Sequence, residues 1–185
     1  IYHIDPELDM QVNKKIKSNF IKNLNKKISP VEIKIFQRNL ANSYNASGAI
    51  SVNIGKYQKA LNLFKKSYSI YNKLNDDMGK VQALDNIAII YSINCKYDIA
   101  LKHCEKSIKI KERLEDQNGL SIALTNLGII YYKIGDYEKS LEKYEDGLKI
   151  SKRLNTKYVT SNLLDNIGII FRNQDEFNKS IDLHY

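Results

Sequence analysis

The feature that most constrains this fold is a sequence period of 40 residues. SIALTNLGIIYYKIGDYEKSLEKY, from Ser121 to Tyr144, moved back one period lies on VQALDNIAIIYSINCKYDIALKHC, from Val81 to Cys104. Moved forward, it lies on SNLLDNIGIIFRNQDEFNKSIDLHY, from Ser161 to Tyr185. A period of this length marks a repeat architecture, in which each unit buries its apolar face against its neighbours. A domain count drawn from chain length therefore has no meaning here.

Within each unit the pattern predicts two helices. A tight turn recurs at Ile54-Gly55-Lys56-Tyr57, Asn94-Cys95-Lys96-Tyr97, Ile134-Gly135-Asp136-Tyr137 and Gln174-Asp175-Glu176-Phe177. A small residue and a large aliphatic follow it: Ala60-Leu61, Ala100-Leu101, Ser140-Leu141, Ser180-Ile181. Leu124, Leu127, Gly128 and Tyr131 sit at i, i+3, i+4 and i+7, one stripe of a helix. Gly128 costs about 1 kcal/mol against alanine in a helix interior. Its equivalents Gly48, Ala88 and Gly168 are also small, which predicts close approach by a neighbouring helix. Polar links at Asn75-Asp76-Asp77, Glu115-Asp116-Gln117-Asn118 and Asn155-Thr156-Lys157 suit helix N-caps. The second helix of each unit is expected to be the longer one, running through Arg113-Leu114 and Arg153-Leu154.

Residues 1–40 share the outline and lack the period. Asp5-Pro6-Glu7 reads as a helix start, and Leu8, Val12, Ile16, Phe20, Leu24 and Ile28 follow at steps of four. Ser29-Pro30-Val31-Glu32 has the order of a capping box. The expectation is a divergent helical cap over 1–40 and an array over 41–185, with units near 41–80, 81–120, 121–160 and a shortened 161–185. That makes an all-α chain of about nine helices.

Leu-x-x-Leu-Gly-x-x-Tyr, a short turn, then Gly-x-Tyr-x-x-Ser/Ala-Leu and a later small residue resembles the tetratricopeptide repeat. The match is carried by Leu124, Leu127, Gly128, Tyr131, Gly135, Tyr137, Ser140, Leu141, Tyr144 and Gly147. The period is 40 and not 34, and the proline usual at the end of the second helix is absent. The long period is similar to that of the repeats of kinesin light chains and of bacterial peptide-sensing regulators. The resemblance implies a right-handed superhelical solenoid of antiparallel helix pairs, lined inside by the first helix of each unit.

Removing the core stripe leaves Ile122, Thr125, Asn126, Ile129, Tyr132 and Lys133 for that groove. The matching positions are Gln82, Asp85, Asn86, Ile89, Ser92 and Ile93 before it, and Asn162, Asp165, Asn166, Ile169, Arg172 and Asn173 after it. Asn86, Asn126 and Asn166 are the sharpest feature, because asparagine is a poor residue inside a helix. Each amide offers the donor and acceptor that pair with a peptide unit of an extended chain, or it bonds to the next helix of the scaffold. In similar repeat proteins, asparagines at this place bind peptide main chain. Ile89, Ile129 and Ile169 form a second line, either packed between first helices or open as an apolar floor. Asp85 and Asp165 against Lys133 and Arg172 make the groove mixed in sign, unlike a basic clamp for a C-terminal carboxylate.

The formal charge of +8 raises nucleic acid as a partner. Residues 1–40 carry eight basic against four acidic side chains, and the rest carry 21 against 17. A lysine-rich helix exterior accounts for this, and no reading motif accompanies it, so nucleic acid is not the favoured partner. Cys95 and Cys104 match no metal or redox spacing, lean towards a reducing, cytoplasmic compartment, and leave the compartment open. No apolar run reaches membrane-spanning length. His3, His103 and His184 are scattered, and no catalytic grouping, cofactor motif or metal motif is present. The expected function is a non-catalytic scaffold that binds a protein or peptide in the groove. The alternative is the sensory region of a larger bacterial signalling protein, ahead of a histidine-kinase or DNA-binding output domain. Phe171, Phe177, Ile181 and Leu183 would lack a next neighbour, which predicts a longer protein or self-association through this end.

Overall fold

A computed structural model of the protein describes residues 29–173, and all regular structure among them is helical. Seven helices follow one another: α1 Pro30–Asn53, α2 Tyr57–Leu74, α3 Asp77–Ile93, α4 Tyr97–Arg113, α5 Gln117–Ile134, α6 Tyr137–Arg153 and α7 Lys157–Asn173. The two further helices expected, over 5–28 and from Phe177, lie outside the described residues. So do Phe177, Ile181 and Leu183 of the expected unpartnered end.

The chain divides into two compact units, Ile1–Leu40 and Ala41–Tyr185. In the first, the described part opens with a reciprocal cap. The Ser29 backbone N–H donates to Glu32 Oε2 at 2.7 Å, and the Glu32 N–H donates to Ser29 Oγ at 3.2 Å. The Ser29 backbone N–H, and after it the Ser29 side chain, hold the Glu32 carboxyl below its ordinary range.

In the second unit, short links separate the helices and their chemistry repeats. Asp76 and Asp116 cap α3 and α5, accepting from the N–H of Gly79 at 3.1 Å and Gly119 at 2.8 Å. Thr156 uses its hydroxyl differently, donating back to the Ser151 carbonyl. Left-handed backbone closes α1 to α6 in turn, at Gly55, Asn75, Cys95, Glu115, Gly135 and Asn155. Second helices were expected to be longer, but α4 and α6 have 17 residues against 17 and 18 in α3 and α5. The extra length of the 40-residue period is shared between the two helices of the pair.

Three apolar clusters form the core, and each joins one second helix to the first helix of the next pair. Ala60, Leu61 and Phe64 pack with Ile87 and Ile90; Ala100 and Cys104 pack with Leu127 and Ile130. Tyr144 packs in the same way with Leu163, Ile167 and Ile170. Burying each large side chain contributes roughly 1.5–3 kcal/mol, so the units hold one another in place.

The small positions have a double use. The Ser140 hydroxyl donates to the Gly128 carbonyl at 2.8 Å, so the helices do approach closely there. The Tyr144 ring also lies on Gly128, where an added Cβ would meet it at 2.5 Å, and Phe64 lies on Gly48 in the same way. At a second close approach, Ser67 donates to the Ala41 carbonyl at 2.9 Å. Eighty residues on, the hydroxyl has moved to the other partner, and Ser121 donates to the Gly147 carbonyl at 2.8 Å.

Candidate functional site

Among the described residues, α3 touches α5 and α5 touches α7, while no second helix touches another second helix. Helix pairs joined along their first helices and splayed along their second ones must curve, with the first helices on the inside. The inner face of this array is therefore made by α3, α5 and α7.

The three asparagines of these helices are all half-buried, and their surroundings differ. Asn86 donates from Nδ2 to Asn45 Oδ1 at 3.0 Å, tying α3 to α1. Asn45 is itself buried and was not singled out from the sequence. Asn166 donates to Asn162 Oδ1 at 3.1 Å, one turn back in its own helix. Asn126 has no hydrogen-bond partner among the described residues and faces a cavity.

The acidic and hydroxyl positions are largely occupied by the scaffold. Asp85 accepts from Lys111 Nζ at 2.7 Å; the lysine side chain is 3% exposed and the aspartate side chain 21%. The negative charge assigned to the groove at Asp85 is thus matched by a buried ammonium from α4. Thr125 is buried, and its hydroxyl donates to the Ser121 carbonyl at 2.9 Å, leaving little surface for a ligand. Asp165 and Arg172 are exposed. Lys133 is exposed and forms no ion pair among the described residues. Tyr132 is half-buried, leans on the Tyr137 ring at 5.5 Å, and accepts from Asn173 Nδ2 at 2.6 Å.

Ile89 is 40% exposed, while Ile129 and Ile169 are half-buried. Ile89 and Ile129 wall an apolar cavity of about 250 Å³ between α3 and α5, with Ala88, Ser92, Ile93, Cys104, Asn126, Ile130 and Lys133. Burial, ahead of the nearby Asp85 charge, pushes the Cys104 thiol up to about 12. It is therefore a neutral wall and no nucleophile. No group of His, Cys, Asp and Glu among the described residues could hold a metal ion. No helix among the described residues is long and apolar enough to cross a membrane.

The described residues form an all-helical solenoid of stacked helix pairs, a fold similar to that of tetratricopeptide-repeat structures. Residues 79–153 match the family model described as Tetratricopeptide repeat. No curated protein matches the sequence. Among solved structures, a Rap protein complexed with Competence and Sporulation Factor is similar over 79% of this chain and 41% of its own, with a TM-score of 0.74 and 18% identity. BtubC (BKLC) from P. vanneervenii is similar over 78% of this chain and 60% of its own, with a TM-score of 0.70 and 18% identity. The apo form of RapI is similar over 80% of this chain and 41% of its own, with a TM-score of 0.70 and 16% identity. The chain thus spans 41–60% of the length of these proteins, and the likeness is one of fold.

Proposed function

We propose that the protein is a non-catalytic scaffold that holds an extended peptide segment of a partner on the inner face of its array. The observation that carries this reading is Asn126. This half-buried amide has no hydrogen-bond partner among the described residues and lines an apolar cavity. Half-buried polar groups ordinarily find partners, and the donor–acceptor pair of a peptide unit satisfies an amide completely. Asn166 is in register one unit on, and its Oδ1 is open to a second peptide N–H. The similar Rap protein complexed with Competence and Sporulation Factor supports the reading.

The test is capture of partner peptides by the full chain and by Asn126→Ala. Losing one net hydrogen bond to a ligand predicts a roughly two- to tenfold weaker interaction, with an unchanged melting temperature. Equal binding by the variant refutes the role of Asn126. Asn86→Ala is the internal contrast, since it also breaks the bond to Asn45 and lowers stability.

A second reading, that the array is the sensory part of a larger regulatory protein, is supported by the similarity to Rap proteins over 41% of their length. An output domain adjoining the array in its reading frame would support it, and a frame holding only further repeats would refute it.

A further inference from the structure

The charge of the array is concentrated on its first helix pair. Residues 41–75 carry five basic side chains and no acidic one, while residues 76–185 carry 16 against 17. The difference lies in the acids. Helix α2 has four basic residues and no acidic one, α4 has five and three, and α6 has five and four. One period on from Gln58, Lys65 and Asn72 stand Asp98, Glu105 and Glu112. A lysine-rich composition adds basic residues to every unit, and does not remove the acids from one of them.

Eight side chains of α2 are exposed: four lysines, two asparagines, a glutamine and a serine. None of the four lysines forms an ion pair among the described residues. Two of them are held in place by rings, with Lys65 Nζ 5.6 Å from the centre of Tyr91 and Lys66 Nζ 5.5 Å from that of Tyr44. A ring face positions an ammonium without cancelling its charge. Lys59, Lys66 and Lys73 are seven residues apart, which sets them in one row along the helix at steps of about 10 Å.

This face has no exposed aromatic ring on which a base could stack, and no exposed aliphatic to enter a lipid surface. Its partner must be held by charge and hydrogen bonds. The phosphates of a duplex climb around its axis. Carboxylates placed at every second turn of a helix stand in a straight row with the same step of about 10 Å.

We propose that the outer face of α2 is a second docking surface, and that it takes an acidic helix of a partner protein laid along Lys59, Lys66 and Lys73. The surface is separate from the inner face of α3, α5 and α7, so it stands independently of the peptide-binding reading.

The probe is an alanine-rich helix of about 20 residues with glutamates along one face at steps of three and four. The reference is a peptide of the same composition with its glutamates spread round all faces. Amide shifts of the full chain are followed by NMR at about 20 mM salt. Saturable shifts over residues 59–73 are expected, with weaker binding at about 150 mM salt and severalfold weaker binding of the reference. An exposed ion pair contributes a factor of about 1.4–5. Lys59→Gln, Lys66→Gln and Lys73→Gln together should therefore weaken the interaction by about threefold to a hundredfold. Lys102→Gln, Lys106→Gln and Lys109→Gln on α4 should leave it unchanged, as should Asn126→Ala, each variant being checked for an unchanged fold by thermal melting.

Absence of shifts, equal binding of the two peptides, or equal loss in the α2 and α4 variants overturns the assignment. A DNA duplex of about 20 base pairs that binds the same lysines more tightly than the peptide overturns it in favour of a nucleic-acid backbone. Vesicles rich in phosphatidylserine that bind through the same lysines more tightly overturn it in favour of a membrane surface.

Discussion

Asp85→Ala strands an ammonium inside the array. Lys111 Nζ lies 2.7 Å from Asp85 Oδ2, with the lysine side chain 3% exposed and the aspartate 21%. Removing one partner of a buried pair costs 3–5 kcal/mol, mostly because the remaining charge is left without compensation. Water reaches the aspartate side of this pair, so the lower end, about 3 kcal/mol, applies to Asp85→Ala. Lys111→Met keeps the aliphatic stem and leaves the charge on the partner that water can hydrate, at about 1 kcal/mol. The double variant removes the stranded charge altogether and should recover about 2 kcal/mol relative to Asp85→Ala. At 2–4 °C per kcal/mol for a chain of this size, Asp85→Ala should melt about 6–12 °C below the parent. Calorimetry of the four proteins measures both the asymmetry and the recovery. The reasoning fails if Lys111→Met melts as low as Asp85→Ala, or if the double variant melts no higher than Asp85→Ala.

Three further outcomes follow from the packing. Gly128→Ala should lower stability by about 1–3 kcal/mol in a denaturant melt, because its Cβ meets the Tyr144 ring at 2.5 Å and overpacking outweighs the better helix propensity. Iodoacetamide at mildly alkaline pH should label exposed Cys95 in the folded protein and leave buried Cys104, with its thiol at about 12, unlabelled until denaturant is added; mass spectrometry of the two peptides decides. Burial, then Lys106 and Lys65, hold the His103 imidazole below its ordinary 6.5. As pH falls through 6.5 the unfolded chain takes up that proton first, so this contribution is present above 6.5 and is lost progressively below it. Melts between pH 8 and 5 should show a decline that His103→Gln removes.

Periodicity exposed the scaffold because helix starts, turns and close approaches depend on local residues that recur. The capping box at Ser29, the caps at Asp76 and Asp116 and the smallness of Gly128 were all readable in this way. The expected stripe of Leu124, Leu127, Gly128 and Tyr131 covers only part of the buried arc. Ala123 and Ile130 are at most 3% exposed, because a first helix is packed by its own partner and by its neighbours. Such a helix is buried over a wider arc than one stripe. The site was harder to read, since partners there come from other units and do not repeat. Asn86 meets Asn45, Asn166 meets Asn162, and Asn126 meets neither. Lys111 reads as one more surface lysine, and only its position opposite Asp85 makes it a buried one. The cavity was hidden for a related reason: small residues at 92 and 104 are unremarkable until the helices bring them together.

The cross-helix bonds named above have a ceiling on their reach along the chain. Ser67 to Ala41, Lys111 to Asp85 and Ser121 to Gly147 span 26 residues, and Asn86 to Asn45 and Asn173 to Tyr132 span 41. Each bond thus closes a loop no longer than about one period, and loop closure sets much of the entropic barrier to folding. That barrier stays constant as periods are added. Lengthening the array by a whole unit therefore extends its inner face without changing how hard any one part of it is to assemble.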